Sequence, residues 1–122
     1  MKINHIISSI EKSSGGPARS VTHLIETILD NDKDIKISLN TLESNNPIIK
    51  SFDSINGALY FNQFGFLEYS KYLNINLLES NSNLFHGHGL WQLPVNQMAK
   101  IARKLKKPYI ITPRGMLEPW SL

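Results

Sequence analysis

The chain predicts an α/β fold, a Rossmann-like parallel sheet flanked by helices. Three observations lead there. A short run rich in β-branched residues, Lys2 to Ser8, leads into Ser13-Ser-Gly-Gly-Pro17 and then into a helical pattern. A second strand pattern follows at Asp34 to Thr41, which completes a strand–helix–strand unit. The same alternation resumes from Leu84 to Thr112.

Each element has its own reason. Lys2 to Ser8 reads as a buried strand that ends in a glycine loop. Pro17 suits the first helical turn, where its missing N–H costs nothing, and Val21, Leu24, Ile25, Ile28 and Leu29 then recur at helical spacing. Ile35, Ile37 and Leu39 alternate with polar residues, the mark of a strand with one covered face. Leu42 to Asn56 is an Asn- and Ser-rich loop before a short strand at Ala58 to Phe61. Phe66, Tyr69, Leu73 and Leu77 predict a helix over 66–78, weakened by Asn74 and Asn76. A strand is expected at Leu84 to Gly87. Pro94 then opens a helix with Val95, Met98, Ala99, Ile101, Ala102 and Leu105 apolar, and Tyr109 to Thr112 forms the last strand.

At 122 residues the chain reads as one domain, residues 1–122, long enough to bury roughly two thirds of its unfolded surface. It has no cysteine, so disulfides and thiolate metal sites are excluded. No apolar run approaches the roughly 20 residues that span a bilayer, and Met1-Lys-Ile-Asn-His lacks a signal-peptide pattern. A cytoplasmic protein is expected, with peripheral contact at the inner membrane face as an alternative. The net charge is +3, yet Lys100, Arg103, Lys104, Lys106 and Lys107 crowd one segment. Those cations fall at a helix C-terminus, which favours them, and no aromatic interleaving accompanies them, so no nucleic-acid partner is expected.

Several residues are candidates for chemistry, each with a plainer alternative. Gly15 and Gly16 precede a helix, where backbone N–H groups can meet an anion; a simple turn is the alternative. The loop matches neither a dinucleotide fingerprint nor a P-loop. His86 and His88 share one side of a strand, but zinc needs at least three protein ligands, and neither His5 nor His23 is marked as one, so no metal is expected. His88, at a strand's carboxyl edge, suits hydrogen bonding or proton relay, against the alternative of satisfying loop backbone. Arg114 follows the last strand and can fork onto a phosphate or carboxylate, or form an exposed ion pair. Trp91 and Trp120 can stack on a sugar or pack beneath a loop.

Three strings together, Ser14-Gly-Gly-Pro-Ala-Arg-Ser-Val21, His86-Gly-His-Gly-Leu-Trp91 and Lys106-Lys-Pro-Tyr-Ile-Ile-Thr-Pro-Arg-Gly-Met-Leu-Glu-Pro-Trp-Ser-Leu122, resemble the N-terminal domain of the group 1 glycosyltransferases, the retaining family 4 with a two-domain GT-B fold. The resemblance covers nearly the whole chain, with Leu42 to Ser82 its unspecific part. It implies a nucleotide-sugar donor held by a C-terminal domain and a glycan or lipid-linked acceptor held by the N-terminal one. It also implies metal-independent transfer with no cofactor, in cell-surface polysaccharide synthesis. By the same resemblance Gly15 and Gly16 lie against the donor diphosphate, His88 is the catalytic residue beside the reacting sugar, and Arg19, Trp91 and Arg114 bind substrate.

The family's paired donor-binding glutamates belong to a second domain that this sequence lacks, and Glu118 does not replace them. The expectation is therefore an incomplete N-terminal half of a GT-B enzyme, truncated and inactive alone, because transfer needs both halves around the reacting carbon. The alternative is a non-catalytic acceptor-binding module, or a subunit that pairs with a separate donor-binding domain. The resemblance also implies further strands and a returning C-terminal helix for such a domain, and the core surface they would cover predicts self-association.

Overall fold

The computed structural model describes residues 1–114, so Glu118, Trp120 and the rest of 115–122 lie outside the described residues. Strands β1 (Lys2–Ile7), β2 (Lys36–Leu42), β3 (Gly57–Asn62), β4 (Leu84–His88) and β5 (Tyr109–Thr112) form one parallel sheet in the order β3-β2-β1-β4-β5. The order reverses between β1 and β4. In open α/β sheets such a switch point opens a crevice at the carboxyl edge.

Side-chain alternation sorts the core onto two faces. On one, α1 (Gly16–Asn31) buries Val21, Ile25 and Leu29 against Ile7, Ile37 and Leu39. On the other, α2 (Lys71–Glu79) and α3 (Leu93–Leu105) bury Leu73, Leu77, Val95, Met98 and Ala102 against Ile6 and Phe85. Leu24, although in phase with the helical pattern, lies at the edge of the α1 stripe and is 39% exposed. Gly87 is fixed by packing, since a Cβ there would sit 2.7 Å from Met98 Cε and 2.8 Å from Val95 Cγ1. Any side chain there would force Met98 and Val95 to shift.

The helix expected from Phe66 begins only at Lys71. Phe66–Glu68 is a separate 3₁₀ turn, with Leu67 in the left-handed region at φ 56°, which breaks the helical path. Ser70 then caps α2, its Oγ accepting from the Leu73 N–H at 3.1 Å. Asn74 and Asn76 sit inside α2 because they tie it down: Asn76 Nδ2 donates to Asn62 Oδ1 at 2.6 Å, and Asn74 Oδ1 accepts from Gln97 of α3 at 2.9 Å.

The polar connection after β2 is more structured than its composition suggests. Glu11 accepts from the Ser44 hydroxyl and from the Asn46 N–H, and the Ile48 N–H bonds Ile10 at 2.9 Å. Ile48, Ile49 and the buried Phe52 are thereby delivered to the α1 face. The basic cluster lies where the pattern placed it: Arg103 and Lys104 occupy the last turn of α3, and Lys106 closes the helix in the left-handed conformation. Because α3 starts at the carboxyl edge and runs back for 13 residues, its cations are carried roughly 20 Å along the helix to the far edge. Among the described residues, no helix is long and apolar enough to cross a membrane.

Candidate functional site

A cleft of about 330 Å³ opens at the switch point, lined by Ser8 and Ser9 after β1, Ser14, Pro17 and Ala18 around the start of α1, and His88, Gly89, Gln92, Arg114 and Glu68. Its position follows from topology, since β1 and β4 are neighbours whose following loops diverge to opposite faces of the sheet. Two of its lining groups have buried polar atoms without a protein partner, Ser8 Oγ and Gln92 Oε1. Buried polar atoms are almost always paired, so these two are ready for a ligand or water.

Ser14 and Ala18 bracket the glycine pair. Gly15 has φ 86° and ψ −153°, a conformation essentially restricted to glycine, and a Cβ at either Gly15 or Gly16 would meet nothing within 4 Å. The backbone is bent here without being packed against anything. Gly15, as N-cap, offers no side chain to the first-turn N–H groups of α1, which leaves a positive helix end at the cleft margin.

His88 lines the opposite wall, and two further imidazoles stack behind it. His5 pairs with His86 in the β1–β4 register and Ile7 with His88, so the three histidines share the α1 face of the sheet. Ring centroids are 4.2 Å apart for His86 and His88, 5.0 Å for His5 and His86, and 5.2 Å for His5 and His88. His5 Nδ1 and His88 Nε2 are hydrogen-bonded at 2.9 Å, His86 Nε2 meets Thr112 Oγ1 at 2.7 Å, and Arg114 donates to His88 Nδ1, with Nη2 at 3.0 Å.

All three imidazoles resist protonation. Burial is the main cause, and it holds His5, His86 and His88 below the ordinary histidine range. Neighbouring imidazoles lower His5 (through His86) and His88 (through His86 and His5) further, and the Arg114 guanidinium opposes a second positive charge beside it in every case. At neutral pH the stack is uncharged, and Arg114 is its cation.

The sequence marked only two histidines of this group and so counted too few ligands for a metal; the structure adds His5. One nitrogen from each of the three lies within 4.8 Å of the others, a spacing that can gather a transition metal if the lone pairs are free. In the observed bonding they are not all free. Arginine is a donor only, so His88 Nδ1 must accept, and neutral His88 then carries its proton on Nε2, facing His5.

Of the residues singled out from sequence, His88 and Arg114 meet directly in the cleft wall, and Gly15 and Gly16 stand at its margin. Arg19 is exposed on α1 and Trp91 is 61% exposed, and neither lines the cleft. His5, Ser8, Gln92 and Glu68 were not singled out. The parity of His5 with His86 is legible once β1 and β4 are known to be neighbours, whereas nothing in the string around Glu68 signals the cleft.

A second concavity, about 590 Å³, lies beside the first and is mainly aromatic, lined by Phe64, Phe66, Tyr69 and Tyr72 with Lys71 and Glu43. One loop joins the two, since Glu68 faces the polar cleft while Phe66 and Tyr69 face the apolar one. No protein-family model, curated protein or solved structure matches this chain.

Proposed function

We propose that this chain is the acceptor-side domain of a sugar-transferring enzyme of the GT-B kind, related to the retaining group 1 (family 4) glycosyltransferases and acting in cell-surface polysaccharide synthesis. The single observation that carries the reading is the convergence in one cleft of the open α1 N-terminus at Gly15 and Gly16, the unpartnered Ser8 hydroxyl and the Arg114 guanidinium. These are donors and positive potential, which suits the oxygens of a diphosphate leaving group.

The three sequence strings supply the sugar chemistry, and the cleft supplies the anion chemistry. On this reading His88 stands beside the reacting sugar and Arg114, which donates to it, meets acceptor or phosphate oxygens. The adjoining aromatic groove fits the apolar part of a lipid-linked acceptor, with Lys71 near its headgroup phosphate. Transfer further requires a donor-binding unit that faces this cleft, in the same polypeptide or in a partner.

A second reading, a binding module without catalysis of its own, is favoured by one observation. Among the described residues, Glu68 is the only carboxylate lining the cleft, so no carboxylate pair is present to hold a donor ribose or sugar. Calorimetry on the chain tests the division of labour. Inorganic pyrophosphate and a glycan acceptor should bind, and nucleotide-sugars should bind no tighter than pyrophosphate. Tight, base-selective nucleotide-sugar binding would contradict the assignment of an acceptor side. Transferase assays with a GT-B donor-binding unit joined to the chain test the enzyme reading, and silence across a broad donor and acceptor panel would leave the binding module.

A further inference from the structure

We infer that His5 is a positioning residue: by accepting from His88 Nε2 it holds, together with Arg114 on Nδ1, a single His88 tautomer, so that His88 serves as the hydrogen-bond acceptor that aims Arg114 into the cleft and not as a general base. The inference rests on the proposed function only for what Arg114 would then touch; the tautomers themselves follow from the bonding.

The order of donors leaves one solution. Arg114 has no acceptor, and its Nε and Nη2 lie 3.3 and 3.0 Å from His88 Nδ1, so that nitrogen is bare. Neutral imidazole carries one proton, which must then be on Nε2, 2.9 Å from His5 Nδ1. His5 Nδ1 is therefore the acceptor, and His5 is protonated on Nε2. The chain runs Arg114 to His88 to His5 with every link in the same sense, and reversing any link would set two donors face to face or strip His88 of its proton.

Burial makes this order binding. His5 and His88 are 3% and 2% exposed, so water cannot easily replace a lost partner, and a mismatched donor pair in such a place has no relief. Both nitrogens of His88 are occupied, which removes it as a proton acceptor while the chain is intact. Among the described residues, the titratable and charged groups that act on His88 are His5 on β1, His86 on β4 and Arg114 after β5, and Glu68 lines the same cleft. Two histidines on neighbouring strands thus hold a guanidinium that lines the cleft. His86, with Thr112 on its Nε2, stacks on His88 outside this chain.

Long-range ¹H–¹⁵N correlation on histidine-labelled whole chain at neutral pH tests this without any ligand. His88 and His5 should each show a bare Nδ1 and a protonated Nε2. His5→Leu should leave His88 a mixture of tautomers, whereas His5→Asn, whose amide oxygen can occupy the place of Nδ1, should restore the single form. Pyrophosphate binding should weaken roughly tenfold in the leucine variant and recover in the asparagine one. A protonated Nδ1 or a charged ring on His88 in the unmodified chain would overturn the inference, and that spectrum stands even if His5→Leu fails to fold. Stoichiometric Zn²⁺ binding with loss of the His88 Nε2 proton would also overturn it, since the three nitrogens would then be metal ligands. A correct tautomer spectrum with no pyrophosphate binding would preserve the lock and count against the proposed function alone.

Discussion

Asn4 and His5 are consecutive residues of one strand, both buried, and each begins a polar row that crosses the sheet on a different face. From Asn4 the row runs through amides: Asn76 donates to Asn62 at 2.6 Å, Asn62 to Asn40 at 3.0 Å and Asn40 to Asn4 at 2.9 Å. Its direction is fixed because Asn62 Nδ2 also donates to the Thr41 carbonyl. From His5 the row runs through imidazoles to Arg114. Amides always present both donor and acceptor, so the asparagine row holds β1, β2, β3 and α2 together at any ordinary pH. Imidazoles must be told which nitrogen carries the proton, and here a guanidinium at one end of the row and His5 at the other fix it for His88. The first row is architecture; the second couples architecture to the site.

Acid should separate the two rows most sharply. His5 and His88 have native pKa values below their unfolded value of about 6.5, so in the window beneath it the unfolded chain binds more protons. Their contribution to stability is fully present above about pH 6.5 and is lost as pH falls toward the native values, at up to about 1.4 kcal/mol per pH unit for each histidine. Urea midpoints recorded at falling pH should track this loss, and in His5→Asn the slope should be shallower by about one proton. An unchanged slope would place the acid sensitivity elsewhere.

Breaking the amide row should cost stability with no such pH signature. Asn40→Leu strands Asn4 Oδ1 and removes one acceptor from Asn62, at a cost of about 2–3 kcal/mol in urea unfolding, equal at pH values on either side of neutrality. A pH-dependent loss would mean that the two rows communicate through β1. Gly87→Ala tests the packing of α3 on β4: its methyl meets Met98 and Val95, and overpacking of this kind costs about 1–3 kcal/mol, lessened by the flexible end of Met98.

The smallest effect on folding should accompany a clear effect on binding. Arg114→Ala leaves the sheet intact, removes the cation from the cleft and takes the donor off His88 Nδ1, so calorimetry should find pyrophosphate bound roughly tenfold more weakly while urea unfolding loses only about 1 kcal/mol. Unchanged pyrophosphate affinity would detach Arg114 from the anion site.

Much of this was legible in the chain. Apolar spacing located all the strands and the helices α1 and α3, since period and glycine–proline punctuation are local properties. His88, Arg114 and the glycine pair were marked by their places at strand ends. The start of α2 was not, because Leu67 in the left-handed region is held by the loop around it and not by its own preference. Asn74 and Asn76 looked like helix weakeners because propensity counts only the local cost, while their partners Gln97 and Asn62 lie elsewhere in the chain.

By itself, then, the sequence determined a parallel α/β sheet with a glycine loop, two neighbouring histidines and an arginine at its carboxyl edge. Only the tertiary structure decided that His5 joins them, because that depends on which strands are neighbours and on the register between β1 and β4, which brings His5 to His88 from 83 residues away along the chain. Tautomers, orphaned donors and the direction of a hydrogen-bond row are properties of pairs, and the pairs exist only when the sheet closes the distance.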